Sequence, residues 1–401
     1  MNNNVSENPR AQHPATPKCV GEAISGTTAK ELCAIDSGFA FDSEQFNTDG
    51  DGMPIIRIRD IKPGVTNTYT TEAFDSRYLV NDGDMLIGMD GEFNLVKWHS
   101  GSALLNQRVC RIQSKSTLLL DDYLRHFLPV ALKQIEMRTA CVTVKHLSIK
   151  ALNAIEIPLV SMERQRAIAF QLDNIDEQLG IARKQLSMLD SLVKSRFVEM
   201  FGEAEKPRKD FPVKALNDVC SSIVRGPFGS ALKKEFFVPQ EANTYKVYEQ
   251  KHAIQKRADI GTYYITRDRF ETLKRFECFP GDILMSCSGT MGEFYQLPPS
   301  CEPGVMNQAL CKFTLSETIL SDYFLGFMEQ VVDELGAKGS GIKNVSSVKY
   351  IKAIRIPLPP LELQRQFADF VTQVDKLRFA AQQQIDKLET LKKSLMQEYF
   401  G

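Results

Sequence analysis

The sequence predicts an α+β protein in which one mixed module is written twice, each copy ending in a long helix. The clearest sign is a repeat. IEIPLVSMERQRAIA, beginning at Ile155, recurs as IRIPLPPLELQRQFA from Ile354, 199 positions later, and the match runs without a gap to Phe201-Gly202 and Phe400-Gly401. A second sign lies upstream of each copy, where short apolar runs bounded by Gly-Asp, Asp-Gly and Ser-Gly pairs read as strands and turns. A third is the spacing of apolar residues within the repeat, which is helical.

In chain order, residues 1–16 are rich in Asn, Pro and Ser and read as a disordered tail. A mixed domain is expected over 17–160. Within it MPIIRIRDI, at 53–61, alternates as a strand does, with Ile56 and Ile58 on one face and Arg57 and Arg59 on the other. Gly83-Asp84 and Asp90-Gly91 bracket a further strand at 85–87. The first helix is placed at 161–202, a polar linker at 203–210, a second mixed domain at 211–359 and the second helix at 360–401. In the second domain Gly281-Asp282 and Ser288-Gly289 bracket 283–285 in the same way. Asn106-Gln107 matches Asn307-Gln308, and Asp122-Tyr123 matches Asp322-Tyr323 near the start of a shorter helix. Offsets drift between 198 and 201 in the domains, so short insertions separate the copies there, whereas the long helices tolerate none.

The helices explain that intolerance. Ile168, Leu172, Ile175, Leu179, Ala182, Leu186, Leu189 and Val193 follow steps of four and three, which make a coiled-coil seam. Deleting one residue would rotate everything beyond it off the seam. The second copy reads Phe367, Val371, Val374, Arg378, Ala381, Ile385, Leu388 and Lys392, with Leu377 and Leu391 beside the two cations, so its seam is expected to be slightly shifted. Pro158, Pro357, Pro359 and Pro360 precede the helices, where proline pre-sets the first turn. Gly180 is a weak point, costing about 1 kcal/mol relative to alanine. Some 40 helical residues span roughly 60 Å.

Composition sets bounds on function. With 401 residues and 43% apolar content, each half-chain is large enough to bury a core. No apolar run approaches a membrane span and the polar start lacks the apolar core of a signal peptide, so a cytoplasmic protein with no membrane partner is expected. Nine cysteines, odd in number and without a CxxC pair, argue against a disulfide framework or a zinc site and read as buried thiols. Net charge is −1, but it is unevenly spread. Residues 225–275 hold 11 Lys and Arg against 6 Asp and Glu, interleaved with Tyr245, Tyr248, Tyr263 and Tyr264; residues 36–97 hold 5 against 12.

Reactive constellations are missing. The chain has no GxxxxGK[ST] phosphate loop, no HExxH, no GxGxxG opening a helix after a strand, and no Asn-Pro-Pro-aromatic run of a methyltransferase. NTDGDG at 47–52 begins like a calcium loop, but its twelfth position is Ile58 where a bidentate Glu is needed, so it reads as a turn. The histidines (His13, His99, His126, His146 and His252) are scattered. No catalytic residue, metal or cofactor is expected on this chain.

The duplicated IxIPLxxxExQR segment with its long helix, each preceded by a domain carrying a Gly-Asp turn and an Asn-Gln pair, resembles the specificity subunit of type I restriction-modification systems. GPFGS, at 226–230, is similar to an element of that family's target recognition domains. The resemblance implies two target recognition domains, each reading one half of a split, asymmetric site on double-stranded DNA. It implies two conserved helices packed as an antiparallel coiled coil that serves as a spacer. It also implies assembly with two methyltransferase subunits, which would carry S-adenosylmethionine, and with restriction (motor-nuclease) subunits, which would use ATP and Mg.

The repeat then sorts residues, since two copies reading different half-sites should share scaffold and differ in readers. Asn106, Gln107, Asn307 and Gln308 are shared and read as scaffold or as positioners of the methylation target. Unshared polar residues are candidates for base contacts, or else an ordinary solvated strand face: Arg57 and Arg59 in the first domain, and Lys246, Tyr248, Gln250, Lys251 and His252 in the second. Arg225, Lys233, Lys234, Lys256, Arg257 and Arg267 are candidates for phosphate contacts. The competing reading is a non-catalytic coiled-coil scaffold that binds proteins rather than DNA. The Tyr and basic interleaving of the second domain weighs against it.

Overall fold

Each half of the repeat builds a four-stranded antiparallel sheet of matching order and a mixed sheet, of five strands in the first half and four in the second, because similar turns and apolar runs recur in the same order. In the second half Val213–Ala215 also pairs with Arg355–Pro357. The computed structural model describes residues 27–138, 145–204, 206, 208, 210–227, 229–337 and 347–401. The tail expected at 1–16, with His13, Cys19, Cys141 and Phe228 of GPFGS, lies outside them. The chain divides into two units, Met1–Ile181 with Ile385–Gly401, and Ala182–Gln384. Each unit thus holds one mixed domain and a stretch of both long helices.

In the first unit one antiparallel sheet has the order Cys33–Ser37, Val109–Ser114, Met85–Gly88, Leu95–Lys97. The second unit repeats it as Cys220–Arg225, Leu310–Leu315, Ile283–Ser286, Phe294–Gln296. The other sheet of each unit is mixed. Its parallel pair joins Met53–Ile56 to Ala103–Leu105 in the first unit and Thr244–Tyr248 to Gly304–Met306 in the second, with Ile56 opposite Leu105 and Tyr248 opposite Met306. Register therefore aligns Ile56 with Tyr248, an offset the sequence repeat alone does not supply.

That alignment corrects the expected strand at 53–61. The strand ends at Ile56 and a short helix, Ile58–Ile61, follows at once. The cause is local: the Asp60 carboxylate accepts the Arg57 amide at 2.8 Å, capping a turn that continued alternation would forbid. The second unit does the same with a different residue, Glu249 N–H donating to His252 Nδ1 at 2.9 Å ahead of the helix Gln250–Gln255.

The long helices run Met162–Phe201 and Leu361–Phe400, unbroken at Gly180. Each is tied at its start to the domain before it by a glutamine with no exposed surface. Gln165 accepts the Leu120 amide at 2.9 Å and donates to the Leu118 and Val160 carbonyls; Gln364 accepts the Leu320 amide at 2.8 Å and donates to those of Thr318 and Pro359. Tyr123 and Tyr323 donate to Pro158 and Pro357 carbonyls, both at 2.7 Å. The far end of each helix packs on the other copy's tyrosine: Phe400 edge-on to Tyr123 at 5.3 Å, and Phe201 edge-on to Tyr323 at 4.7 Å.

Within each unit the two helical stretches lie side by side and run in opposite directions. In the first, Tyr399 donates to Gln171 and Lys392 pairs with Asp176; in the second, Arg378 pairs with Asp190 at 2.7 Å and Phe367 meets Phe197 at 5.4 Å. Of the expected seam, Ile168, Leu172, Ile175, Leu179, Ala182, Phe367, Val374, Ala381 and Ile385 are buried, while Leu186, Leu189, Val193, Val371 and Leu388 are half-buried. The expected shift in the second copy does not occur. Arg378 and Lys392 keep their seam positions by pairing with carboxylates, and Leu377 and Leu391 stay 58% and 47% exposed.

Candidate nucleic-acid interface

The parallel strand pair of each domain ends at a turn bearing the Asn-Gln dipeptide. In the first unit the Asn106 side chain is buried, its oxygen accepting the Gln107 amide at 2.9 Å. In the second, the Asn307 oxygen accepts the Ala309 amide at 3.0 Å. Both backbones are pressed by the glycine that directly follows the first strand of the antiparallel sheet. A Cβ on Gly38 would stand 2.0 Å from the Asn106 carbonyl oxygen, and one on Gly226 1.8 Å from that of Asn307. Gln107 and Gln308, at the tips, are exposed.

Chemistry around the two tips differs. Phe39, 40% exposed, lies beside Gln107, whose amide donates to the Phe39 carbonyl at 2.7 Å. Phe39 packs on Phe41 and Tyr78, and the Arg77 guanidinium lies 4.6 Å from the Tyr78 ring. Arg108, which composition and repeat overlooked, follows with a φ of 69° and pairs with Asp90 at 3.6 Å. In the second unit Arg225 flanks the tip, donating to the carbonyls of Gln308 at 3.3 Å and Cys287 at 3.4 Å. Gln250 reaches the neighbouring loop, its Nε2 3.0 Å from where a Gly289 Cβ would stand. Arg225 and Gln308 are thereby brought together, beside a loop that Gln250 also reaches at Gly289.

Three base-reading candidates are corrected by burial. Lys246 is 1% exposed and pairs with Glu302 at 2.7 Å; Tyr248 and His252 have no exposed surface. They are polar residues that the repeat does not share, but Lys246 and Tyr248 lie on a covered stretch of the strand Thr244–Tyr248 and His252 on the covered side of the helix that follows. The first-domain candidates sit at the capped turn: Arg57 is half-buried and donates to Thr68 Oγ1 at 2.6 Å, while the Arg59 side chain is 66% exposed. Register makes Arg59 equivalent to Lys251, which pairs with Glu249 at 2.6 Å, so these two cations are shared rather than unshared. Among the phosphate candidates, Lys233 and Lys234, adjacent at one 3-10 turn, and Lys256 and Arg267, each on another element, are exposed, and Arg257 is held in a bidentate pair with Asp259 at 2.9 and 2.6 Å. Burial pushes the thiols of Cys33, Cys110 and Cys220 up to about 12, as expected of structural cysteines. Among the described residues, no group of three or more His, Cys, Asp or Glu is placed to hold a metal, and no helix is long and apolar enough to cross a membrane.

Two like domains, each presenting a rigid exposed turn with its own surroundings, define a protein with two related but differently faced binding surfaces. The chain belongs to the family described as type I restriction modification DNA specificity domain, whose model matches twice, at residues 27–190 and 208–390. It is similar to the type I restriction enzyme EcoBI specificity subunit of Escherichia coli, 39% identical over 186 residues, which cover 45% of this chain and 39% of that protein. The chain thus matches well under half the length of that relative. The MjaVIII specificity subunit of Methanocaldococcus jannaschii is 20% identical over 363 residues, 86% of this chain and 84% of the relative. The fold is shared with the crystal structure of a type I restriction-modification S subunit from M. genitalium, at a TM-score of 0.54 and 16% identity over 96% of this chain and 98% of that one.

Proposed function

We propose that this chain is the DNA sequence-recognition subunit of a type I restriction-modification complex, each domain reading one half of a bipartite, asymmetric site. The observation that carries the reading is the family match to both copies, joined to the matched turns at Gln107 and Gln308 with their divergent neighbours. Recognition needs shared backbone placement and different side chains, and the two turns supply both. A protein-binding scaffold with no nucleic-acid role is not favoured by the family match. The chain itself is non-catalytic in this reading; its partners bind S-adenosylmethionine and, for restriction, ATP with Mg.

The helices are the proposed docking surface for two methyltransferase subunits. The second unit carries an open groove of about 540 Å³ lined by Met188, Leu189, Leu192 and Leu377, and the first one of about 480 Å³ lined by Phe170, Ile175, Leu388 and Leu391. Leu189 and Leu192 are the repeat equivalents of Leu388 and Leu391. One groove per unit, built on the same leucine pair, fits two copies of one partner. Helix length, held constant by the gapless repeat, sets the spacer between half-sites.

The first domain's acidic surface points to phosphate neutralisation by those partners. Band-shift titration tests this. Weak binding by the chain alone and tight, specific binding with methyltransferase subunits is expected; tight, specific binding by the chain alone would contradict it.

A further inference from the structure

The matched turns divide their two residues between two tasks. Asn106 and Asn307 turn their carboxamide oxygens inward to backbone amides, closing the turn. Gln107 and Gln308 are exposed, and among the described residues neither carboxamide makes a hydrogen bond. Their backbones are fixed by the glycine contacts at Gly38 and Gly226, which leave no room for even a methyl group. Each domain thus holds out one free amide, with a donor and an acceptor, from a rigid support. Such a group pairs bidentately with N6 and N7 of adenine in the major groove.

Equivalence adds the second half. The two glutamines occupy the same place in domains whose neighbouring side chains differ, Phe39 at one tip and Arg225 at the other. Identical groups at identical places read the same feature, and differing neighbours read what differs. We propose that Gln107 and Gln308 each read an adenine in their own half-site, so that the two half-sites share an A·T pair at equivalent positions while flanking bases diverge. This rests on the DNA-reading function proposed above.

The test is selection of randomised DNA duplexes by the full chain co-purified with its methyltransferase subunits. Wild type is compared with Gln107→Ala, Gln308→Ala and the isosteric Gln107→Glu. Gln107→Ala should weaken one A·T preference in one half-site by roughly ten-fold and leave the other half-site intact. Gln308→Ala should do the converse. Gln107→Glu should move the same position from A·T towards C·G, because a carboxylate only accepts and suits the cytosine N4 amine. A bipartite site selected by wild type and unchanged in all three variants would overturn the assignment alone. A wild type that enriches no sequence would overturn the DNA-reading function with it.

Discussion

Gln364 Oε1 accepts the amide hydrogen of Leu320 at 2.8 Å from a side chain with no exposed surface. Its counterpart Gln165 does the same for Leu120. These contacts fasten each long helix to the loop before the shorter helix of its domain. Replacing either glutamine by leucine keeps its bulk and strands a buried amide and carbonyls, at a cost of roughly 2–3 kcal/mol. Urea denaturation of the full chain checks this; a change below about 0.5 kcal/mol would place the tether elsewhere.

Gly180 is exposed, helical and has open space where a Cβ would stand. Gly180→Ala should therefore stabilise the chain by about 1 kcal/mol. Thermal denaturation measures it, and a lowered midpoint would mean that the helix needs the glycine.

His252 carries a pH dependence. Its Nδ1 lies 2.9 Å from the Glu249 amide nitrogen and 3.0 Å from the Glu249 carbonyl oxygen, its Nε2 lies 2.8 Å from the Ile260 oxygen, and the ring has no exposed surface. Burial lowers its pKa, with nearby Lys246 adding to the effect against its own hydrogen bonds. A folded pKa below the unfolded value of about 6.5 means that its stabilisation is complete above that pH and is lost as pH falls below it. His252→Asn keeps an acceptor without the titration. It should lose less stability between pH 8 and pH 5 than wild type, and equal losses would assign the acid sensitivity to other groups.

Leu192 and Leu391 are each 47% exposed, one in each helical groove. Changing either to glutamate should leave folding nearly unchanged, while each variant loses one methyltransferase subunit from the assembled complex. Mass measurement of the complex by light scattering reads this directly. Full assembly in the double variant would move the docking surface off the helices.

The long helices were legible because a heptad seam is a local, periodic signal that sequence states directly. Even so, Leu377 and Leu391 suggested a shifted seam; a cation paired across the helices is indistinguishable in sequence from a solvated one. The domains were harder. MPIIRIRDI alternates like a strand, yet a single capping carboxylate three residues ahead ends the strand at Ile56. Lys246, Tyr248 and His252 looked like readers because they are polar and unshared between the copies, and only the tertiary packing reveals that Lys246 is a buried cation paired with Glu302 and His252 a buried cap. Arg59 and Lys251 seemed unshared because the repeat offset drifts in the domains, and strand register restores the match.

The central claim is that two divergent readers on one duplicated frame specify a split DNA site. Sequencing modified bases in cells that carry this chain as the sole specificity subunit, and in the same cells without it, tests that claim most directly. The account predicts a methylated bipartite motif of two unlike half-sites and a fixed spacer, present only with the chain. An unchanged methylation pattern on its removal, or a single undivided motif, would contradict it.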